Sequence, residues 1–200
     1  MFFVAVGAIG PTSSASAAAK TTTFNYQCDL TEPFASFAVD GATMLWREPG
    51  AASAKRFLLG SLSRTNDGRL AAQTVQGPKN IKAFVITSDV GSDGMSDRTF
   101  GSTLEVVAPK SQVGGCSRLP VTYRVHVVSG VEPGDNLNVR SAPSVRGRIL
   151  SVVAPLGFVW TTGKTQSGWA SVGVIVFPSV DHGPAQIVQG WVNARYLSPG

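Results

Sequence analysis

Residues 34–47 read FASFAVDGATMLWR, and this stretch indicates the fold class most directly. Two short runs of aromatic and aliphatic residues flank the pair Asp40-Gly41. Glycine tolerates the positive backbone dihedral that a tight hairpin turn requires, so Asp-Gly between two apolar runs is a strong hairpin signal. The stretch therefore predicts two antiparallel β-strands joined by a tight turn.

The same pattern of short apolar runs and turn residues continues on both sides of this hairpin. A second turn signal, Asn66-Asp67-Gly68, lies between two further strand-like segments. The segments are FNYQCDL at 24–30, KRFLLG at 55–60, RLAAQTV at 69–75, IKAFVIT at 81–87, STLEVV at 102–107 and YRVHVV at 123–128. No segment of useful length has the 3.6-residue periodicity of a helix. We predict an all-β protein with few and short helices.

The composition of the 200 residues agrees with a β-rich globular chain. Only 14% are charged while 43% are apolar, and 22 glycines and 12 prolines supply turns. A coiled coil or a mainly helical protein needs more charged residues on its solvent faces, and a disordered chain has less apolar surface. The net charge of +5 comes from scattered basic residues that form no run longer than the pair Lys55-Arg56. This spacing argues against a nucleic-acid partner and is compatible with weak attraction to an anionic cell envelope.

The N-terminus predicts export. MFFVAVGAIG at 1–10 is a short apolar run, and the small-residue stretch that follows offers A-x-A-like cleavage sites up to residue 19. A run of this length is too short to span a bilayer as a stable anchor. We predict a signal peptide over 1–19, a periplasmic or secreted product, and no integral membrane segment after signal removal.

The two cysteines, Cys28 and Cys116, fit the same compartment. A single disulfide suits an oxidising environment and stabilises a closed loop of this length by about 4–5 kcal/mol in the chain-entropy model. A reactive thiol is the alternative, but FNYQCDL has the pattern of a strand and places neither a helix N-terminus nor a histidine beside Cys28. We predict a disulfide between them.

The chain divides near Pro120, where the strand pattern restarts. We predict two small β domains after the signal peptide, over 20–119 and 120–200. The first is expected to be an antiparallel sheet or barrel held by the disulfide.

The second half carries four motifs: LNVRSAPS at 137–144, RILSVVAPLGFVW at 148–160, SGWASV at 167–172 and GWVNARYLS at 190–198. In this order they resemble the bacterial SH3 domain, a small β-barrel of exported cell-wall proteins. The resemblance implies an SH3-like barrel over 120–200 that ends in a single helical turn at 193–197. Here the connection over 173–189 is longer than a tight hairpin, which suits a recognition surface, an interdomain contact or a tolerated extension.

This resemblance implies binding of peptidoglycan, its peptide stems or another wall-associated peptide. Ring faces stack on sugars and peptides, while amide and guanidinium groups bind carboxylates and amides. The candidate ligand-binding residues are Asn138, Arg140, Trp160, Trp169, Trp191 and Tyr196. A tryptophan after glycine in a small barrel is also a common core residue, and Arg140 is equally suited to donate to the turn below it.

The first half carries TEPFASFAVDGATMLW at 31–46, SDGMSDRTF at 92–100 and GGC at 114–116. These motifs resemble an uncharacterised family of secreted bacterial proteins, which implies no activity. Asp89, Asp93 and Asp97 are spaced like calcium ligands, but Gly91 and Phe100 occupy EF-hand ligand positions. We predict a structural turn in which Asp93 and Asp97 accept backbone hydrogen bonds and Arg98 pairs with one of them.

Catalytic chemistry has little support in the sequence. The two histidines are His126, in a strand whose neighbours face the other way, and His182, beside Asp181 without a third zinc ligand. No nucleophile elbow, phosphate loop or dinucleotide motif occurs. We predict a non-catalytic protein without metal or cofactor.

Three functions follow as hypotheses. The leading one is binding of a cell-wall polymer or peptide by the second half. The first half is also similar to periplasmic lysozyme inhibitors in its cysteine placement, which implies a protein partner. A scaffold role through the arm at 173–189 likewise implies a protein partner.

Overall fold

The computed structural model describes residues 24–31, 34–60, 63–72, 74–76, 83–86, 90–108, 111–177 and 184–200. Within these ranges the chain forms two antiparallel sheets and one 3-10 turn, and no α-helix. The predicted all-β class is confirmed. The predicted signal peptide over 1–19 lies outside the described residues.

Ten strands form the first sheet, and all their pairings are antiparallel. They are β1 (Asn25–Thr31), β2 (Phe34–Asp40), β3 (Thr43–Arg47), β4 (Lys55–Leu59), β5 (Ser63–Arg64), β6 (Leu70–Ala72), β7 (Thr74–Gln76), β8 (Ala83–Ile86), β9 (Ser102–Ala108) and β10 (Gln112–Leu119). The predicted hairpin is β2–β3, in which Asp40 pairs with Thr43 and Gly41 has a φ of 60°.

This sheet closes on itself. Its order is β5-β6-β8-β9-β10-β1-β2-β3-β4-β7. The short strands β6 and β7 follow one another closely in the chain, since β6 ends at Ala72 and β7 begins at Thr74. Because β6 pairs with β8 and β7 pairs with β4, they bring the two ends of the ladder together. Followed strand by strand, the ladder returns to its start, so the predicted sheet or barrel is a closed barrel. The first and last strands, β1 and β10, form the seam of that closure.

The disulfide crosses this seam. Cys28 on β1 lies directly opposite Cys116 on β10, with Cα atoms 4.1 Å apart, and the two sulfurs are bonded. Both residues are fully buried. The predicted disulfide is confirmed, and it agrees with an oxidising compartment.

Close packing beside the disulfide explains the glycine pair that precedes Cys116. A Cβ atom added at Gly115 would lie 2.1 Å from the ring of Phe100, and one at Gly114 would lie 2.4 Å from the carbonyl oxygen of Asp29. Both positions therefore exclude any larger residue.

The barrel interior is filled by alternate residues of its strands, as a sheet with one face inward requires. Phe37 and Trp46 stack at 5.6 Å between ring centroids near the disulfide. The buried set consists of Phe24, Tyr26, Cys28, Leu30, Ala35, Phe37, Val39, Met44, Trp46, Phe57, Leu59, Leu70, Ile86, Leu104, Val106 and Cys116.

Seven strands form the second sheet, in the order β13-β12-β16-β15-β14-β11-β17. They are β11 (Arg124–Val128), β12 (Leu137–Arg140), β13 (Ile149–Val153), β14 (Phe158–Gln166), β15 (Trp169–Val176), β16 (Gln186–Asn193) and β17 (Leu197–Pro199). A 3-10 turn, Ala194–Tyr196, precedes β17 and is capped by the Asn193 side chain, which accepts from the Arg195 amide. The short terminal helical turn expected from the sequence is therefore present.

The two sheets share a core between them. Ala38, Leu45 and Leu119 point outward from the barrel and pack against residues of the second sheet. The residues contributed by the second half are Tyr123, Val125, Val127, Phe158 and Trp160.

Polar contacts fix the same contact region. The side-chain amide nitrogen of Asn25, Nδ2, donates to the carbonyls of Pro120 and Tyr123, at 2.9 and 2.8 Å. The Val125 amide donates to the Asp40 carboxylate at 3.1 Å. The two halves are thus joined by packing and by hydrogen bonds from both sides.

The long connection of the second half also contacts the barrel. β15 and β16 pair from Trp169↔Asn193 out to Val176↔Gln186, so the arm extends this hairpin. Phe177, just beyond β15, contacts Phe100 edge-on at 5.0 Å, and the Ala185 amide donates to Thr99. Of the possibilities that the sequence left open for this arm, its described parts form a contact between the halves.

The disulfide is expected to supply a large part of the stability. Replacing both cysteines, Cys28→Ala with Cys116→Ala, should lower the free energy of unfolding by about 2–5 kcal/mol, because the seam strands are no longer linked in the unfolded chain. Guanidinium unfolding followed by circular dichroism measures the loss. Val113→Ala, at an exposed position on β10, is the control and should cost much less. A double variant as stable as this control would contradict the role of the seam.

The shared core makes a second prediction. Trp160→Ala should cost about 3–5 kcal/mol, because a fully buried ring between the halves is lost. Trp191→Ala, at a half-buried outer position, is the matched control and should cost clearly less in the same unfolding experiment. Equal losses for the two variants would show that Trp160 does not anchor the interface.

Candidate functional site

A groove of about 290 Å³ lies on the outer side of the second sheet. It collects four of the six predicted ligand-binding residues: Asn138, Arg140, Trp169 and Tyr196. Its other lining residues are Gly130, Val131, Glu132, Asp135, Asn136, Leu137, Val145, Asn193 and Arg195. We call this site the Trp169 groove.

Strand alternation brings these side chains to one face. On β12, Leu137 and Val139 are buried, so Asn138 and Arg140 point outward. On β15, Ala170 is buried and Trp169 faces out, directly opposite Asn193 of β16. The neighbouring strands β12, β16 and β15 therefore present one continuous outer face.

Arg140 has two roles in this groove. Its Nη1 atom donates to the carbonyl of Gly147 at 2.9 Å, which ties the strand to the turn that follows it. The structural role considered from the sequence is therefore observed, and the same half-buried guanidinium also lines the groove.

The 3-10 turn supplies the opposite wall. The guanidinium of Arg195 lies 4.5 Å from the centroid of the Tyr196 ring and donates to the Tyr196 hydroxyl. Glu132 and Asp135, from the turn before β12, add two exposed carboxylates. The groove thus combines two aromatic rings with charges of both signs.

The two remaining candidates lie elsewhere. Trp160 is fully buried, and its Nε1 atom donates to the side chain of Gln27 at 3.0 Å. It is a core residue between the halves, and this burial removes it from the candidate ligand-binding set. Trp191 faces outward opposite Arg140 and Ser171 but does not line the groove.

A second and larger cavity, of about 690 Å³, lies at the rim of the barrel. The SDGMSDR motif forms one wall of it through Asp93, Met95, Ser96 and Arg98, and Asp29 and Arg47 come from β1 and β3. Pro155 and Leu156 of the second half complete the lining. We call this site the Asp29 cavity.

The motif forms a turn around Asp93. The Asp93 carboxylate accepts hydrogen bonds from the amides of Met95 and Ser96 and from the Ser96 hydroxyl, at 2.6–3.0 Å. The predicted turn is confirmed for Asp93. Arg98 differs from the prediction, because its guanidinium lies over the Phe177 ring at 4.7 Å. Asp89 lies outside the described residues.

The pKa values of two aspartates that line this cavity, Asp29 and Asp93, are shifted in opposite directions. Burial raises the pKa of Asp29, and the Asp93 charge adds to this, while Arg47 and Arg98 oppose it. Burial also raises the pKa of Asp93, but the hydrogen bonds from Ser96 and Met95, together with Arg98, outweigh it and hold the pKa below its ordinary value. Asp93 is therefore stabilised as a carboxylate, whereas the protein disfavours the ionised form of Asp29.

Of the two histidines considered for catalysis, only His126 lies among the residues that the structure describes. His126 is half-buried on β11, with Val125 and Val127 buried on the other face, and its Nδ1 atom lies 3.4 Å from the Thr161 hydroxyl. Among the residues that the structure describes, no three His, Cys, Asp or Glu side chains are grouped to hold a metal ion. Asp181 and His182 lie outside those residues.

Several lining residues were missed by the sequence reasoning. Glu132 and Asp135 precede the motif at 137–144 and Arg195 lies within the motif at 190–198, so their proximity to the motifs was the available signal. Asp29 and Arg47 lie just outside the motif at 31–46, but nothing in the sequence linked them to residues 93–98, because only the barrel places β1 and β3 beside that turn.

Comparison with protein-family models, curated proteins and solved structures gives no match to this chain. No helix in the parts of the chain that the structure describes is long and apolar enough to cross a membrane.

Asp29 allows a test of the cavity by pH. Because its pKa in the folded protein is raised above the unfolded value, ionisation of Asp29 opposes folding, and its favourable contribution is lost as pH rises through the folded pKa. Asp29→Asn should therefore raise Tm at pH 7. The difference should disappear at low pH, where Asp29 is protonated in both states.

Calorimetry of both proteins across the acidic pH range measures this effect. A variant that is less stable than the wild type at pH 7 would show instead that the Asp29 charge supports the fold.

Proposed function

We propose that this chain is an exported, non-catalytic cell-envelope protein whose second half, an SH3-like barrel, binds peptidoglycan or a wall-associated peptide in the Trp169 groove. One observation carries the proposal. Asn138, Arg140, Trp169 and Tyr196, which lie in three separate motifs of the sequence, line one groove.

The chemistry of the groove suits such a ligand. Trp169 and Tyr196 offer ring faces for sugar or peptide planes, and both are half-buried, so they are held in place while remaining accessible. Arg195 and Glu132 supply one cation and one anion on exposed side chains. A wall peptide carries carboxylates, amides and amines, and it therefore finds a complementary group for each.

Three further features support an envelope location. The apolar N-terminal segment and the disulfide both suit export. The net charge of +5 favours association with an anionic wall.

Binding of the full chain to purified sacculi tests the proposal. The wild type should be retained at moderate salt, and Trp169→Ala and Arg195→Gln should each weaken retention about tenfold, the effect of losing one anchoring contact. Arg195 is exposed, so its variant keeps the fold intact. Failure of the wild type to bind sacculi would overturn the proposal.

Two matched controls accompany these variants. Arg148→Gln removes an exposed arginine outside the groove, and Trp191→Ala removes an outward tryptophan that does not line it. Both should bind like the wild type. Equal losses for Trp191→Ala and Trp169→Ala would show that the groove does not define the binding site.

A further inference from the structure

The Asp29 cavity is large enough for a small ligand and is built by both halves. Its volume of about 690 Å³ falls within the range of about 300–1,000 Å³ that is typical of small-molecule sites. It lies on the barrel, and none of the residues that line the Trp169 groove lines it. The two sites therefore have separate linings.

Three charged side chains face this cavity with hydrogen-bonding capacity unused. Among the described residues, none donates a hydrogen bond to the Asp29 carboxylate, and neither Arg47 nor Arg98 has a nitrogen within 4.0 Å of it. Arg47 uses only its Nε atom, which donates to the Ser36 hydroxyl at 3.2 Å. The Arg98 guanidinium lies over the Phe177 ring and leaves its N–H groups available.

The other two carboxylates of the cavity differ, because both have partners. Asp93 accepts three hydrogen bonds from its own turn, and Glu48 pairs with Lys55 at 3.2 Å. Among the described residues that line the cavity, the charges that remain available to a ligand are thus one carboxylate and two guanidinium groups.

These three groups interact electrostatically without touching. Both arginines lower the pKa of Asp29, so they lie within electrostatic reach of it. No salt bridge among the described residues joins Asp29 to either arginine, yet all three side chains line the same cavity.

Much of the remaining wall is apolar, with Thr31, Ser36 and Ser96 as its uncharged polar residues. Phe34 and Met95 stand at its mouth with 66% and 62% of their surfaces exposed, which is high for residues of this kind. Leu156, on the side of the second half, has a φ of 61°, an unfavourable conformation for leucine. Its amide is held by the Val128 carbonyl at 2.9 Å, so the strained backbone is fixed in the cavity wall.

We propose that the Asp29 cavity binds a small zwitterion with an apolar side chain, namely an amino acid or a short peptide with free termini. The ligand ammonium lies against Asp29, the ligand carboxylate lies between Arg47 and Arg98, and its side chain packs against Met95 and Phe34.

Simpler ligands fit less well. An anion alone would face the Asp29 and Asp93 carboxylates, and a cation alone would face two guanidinium groups. A ligand with both charges can bind the Asp29 carboxylate and the free N–H groups of Arg47 and Arg98 at once.

Methyl NMR of the full chain tests this proposal with an internal control. Met95 is at the mouth of the cavity and Met44 is fully buried in the barrel core. With methionine methyl groups labelled with carbon-13, addition of L-leucyl-L-leucine should shift the Met95 signal and leave the Met44 signal in place.

Two modified dipeptides then separate the charges. N-acetyl-leucyl-leucine lacks the ammonium and leucyl-leucine amide lacks the carboxylate, so each should bind at least about tenfold more weakly than the dipeptide. Asp29→Asn and Arg98→Gln should reduce the affinity for the dipeptide by a similar factor. Arg118→Gln, an exposed arginine of β10 outside the cavity, is the control and should leave it unchanged.

Arg98 is exposed, so Arg98→Gln is expected to leave the fold intact. This variant therefore still tests the proposal if Asp29→Asn perturbs β1. An unmoved Met95 signal up to about 10 mM dipeptide, where even a weak site is occupied, overturns the proposal. Equal affinity for the dipeptide and both modified forms also overturns it. Sacculus binding plays no part in these measurements, so failure here is distinguishable from failure of the groove.

Discussion

The pairing of β1 with β10, fastened by the Cys28–Cys116 disulfide, is the constraint on which the rest of this structure depends. It joins the first strand of the barrel to the last and thereby closes the ladder. The outward side of the same strand then meets the second half. The Asn25 side chain donates to the Pro120 carbonyl at the start of the second half, and the Gln27 side chain accepts a hydrogen bond from the Trp160 indole. Asp29, the next outward residue, faces the cavity at the rim. One strand therefore organises the barrel, the interface and the larger of the two sites.

The outer face of the barrel explains why the halves are joined. A barrel exposed to water would carry polar residues on its outward positions, but Ala38 and Leu45 are fully or nearly fully buried there by the second half. Trp160 inserts at this contact with its ring buried and its Nε1 atom satisfied by Gln27. Removing the second half would expose this apolar surface to water. The two sheets therefore stabilise each other, although their hydrogen-bond ladders are separate.

The two sites differ in how much of them was visible in the sequence. Asn138 and Arg140 on β12 and Trp169 on β15 face outward because their strand neighbours are buried, so the direction of these three side chains follows from the period of a strand. Tyr196 lies on the 3-10 turn, whose place beside them only the fold gives. The prediction did not exclude Trp160, because alternation gives the face of a residue but not what covers that face. The Asp29 cavity was invisible, because its charged residues lie on β1, β3 and the 92–98 turn, and no local pattern links them.

The sequence by itself determined the all-β class, the hairpin at Asp40-Gly41, the turn around Asp93 and the disulfide. Each of these depends on local backbone preferences or on the presence of just two cysteines. The tertiary structure decided the closure of the barrel, the burial of Trp160 and the placing of Arg47 and Arg98 around Asp29. These features depend on which strands become neighbours across long stretches of chain. Uninterrupted apolar runs such as 37–39 and 44–46 were the one trace of this in the sequence, since strands buried on both faces lose their alternation. Such a run indicates that both faces of a strand are buried. Only the folded chain shows that the second half covers the outer face.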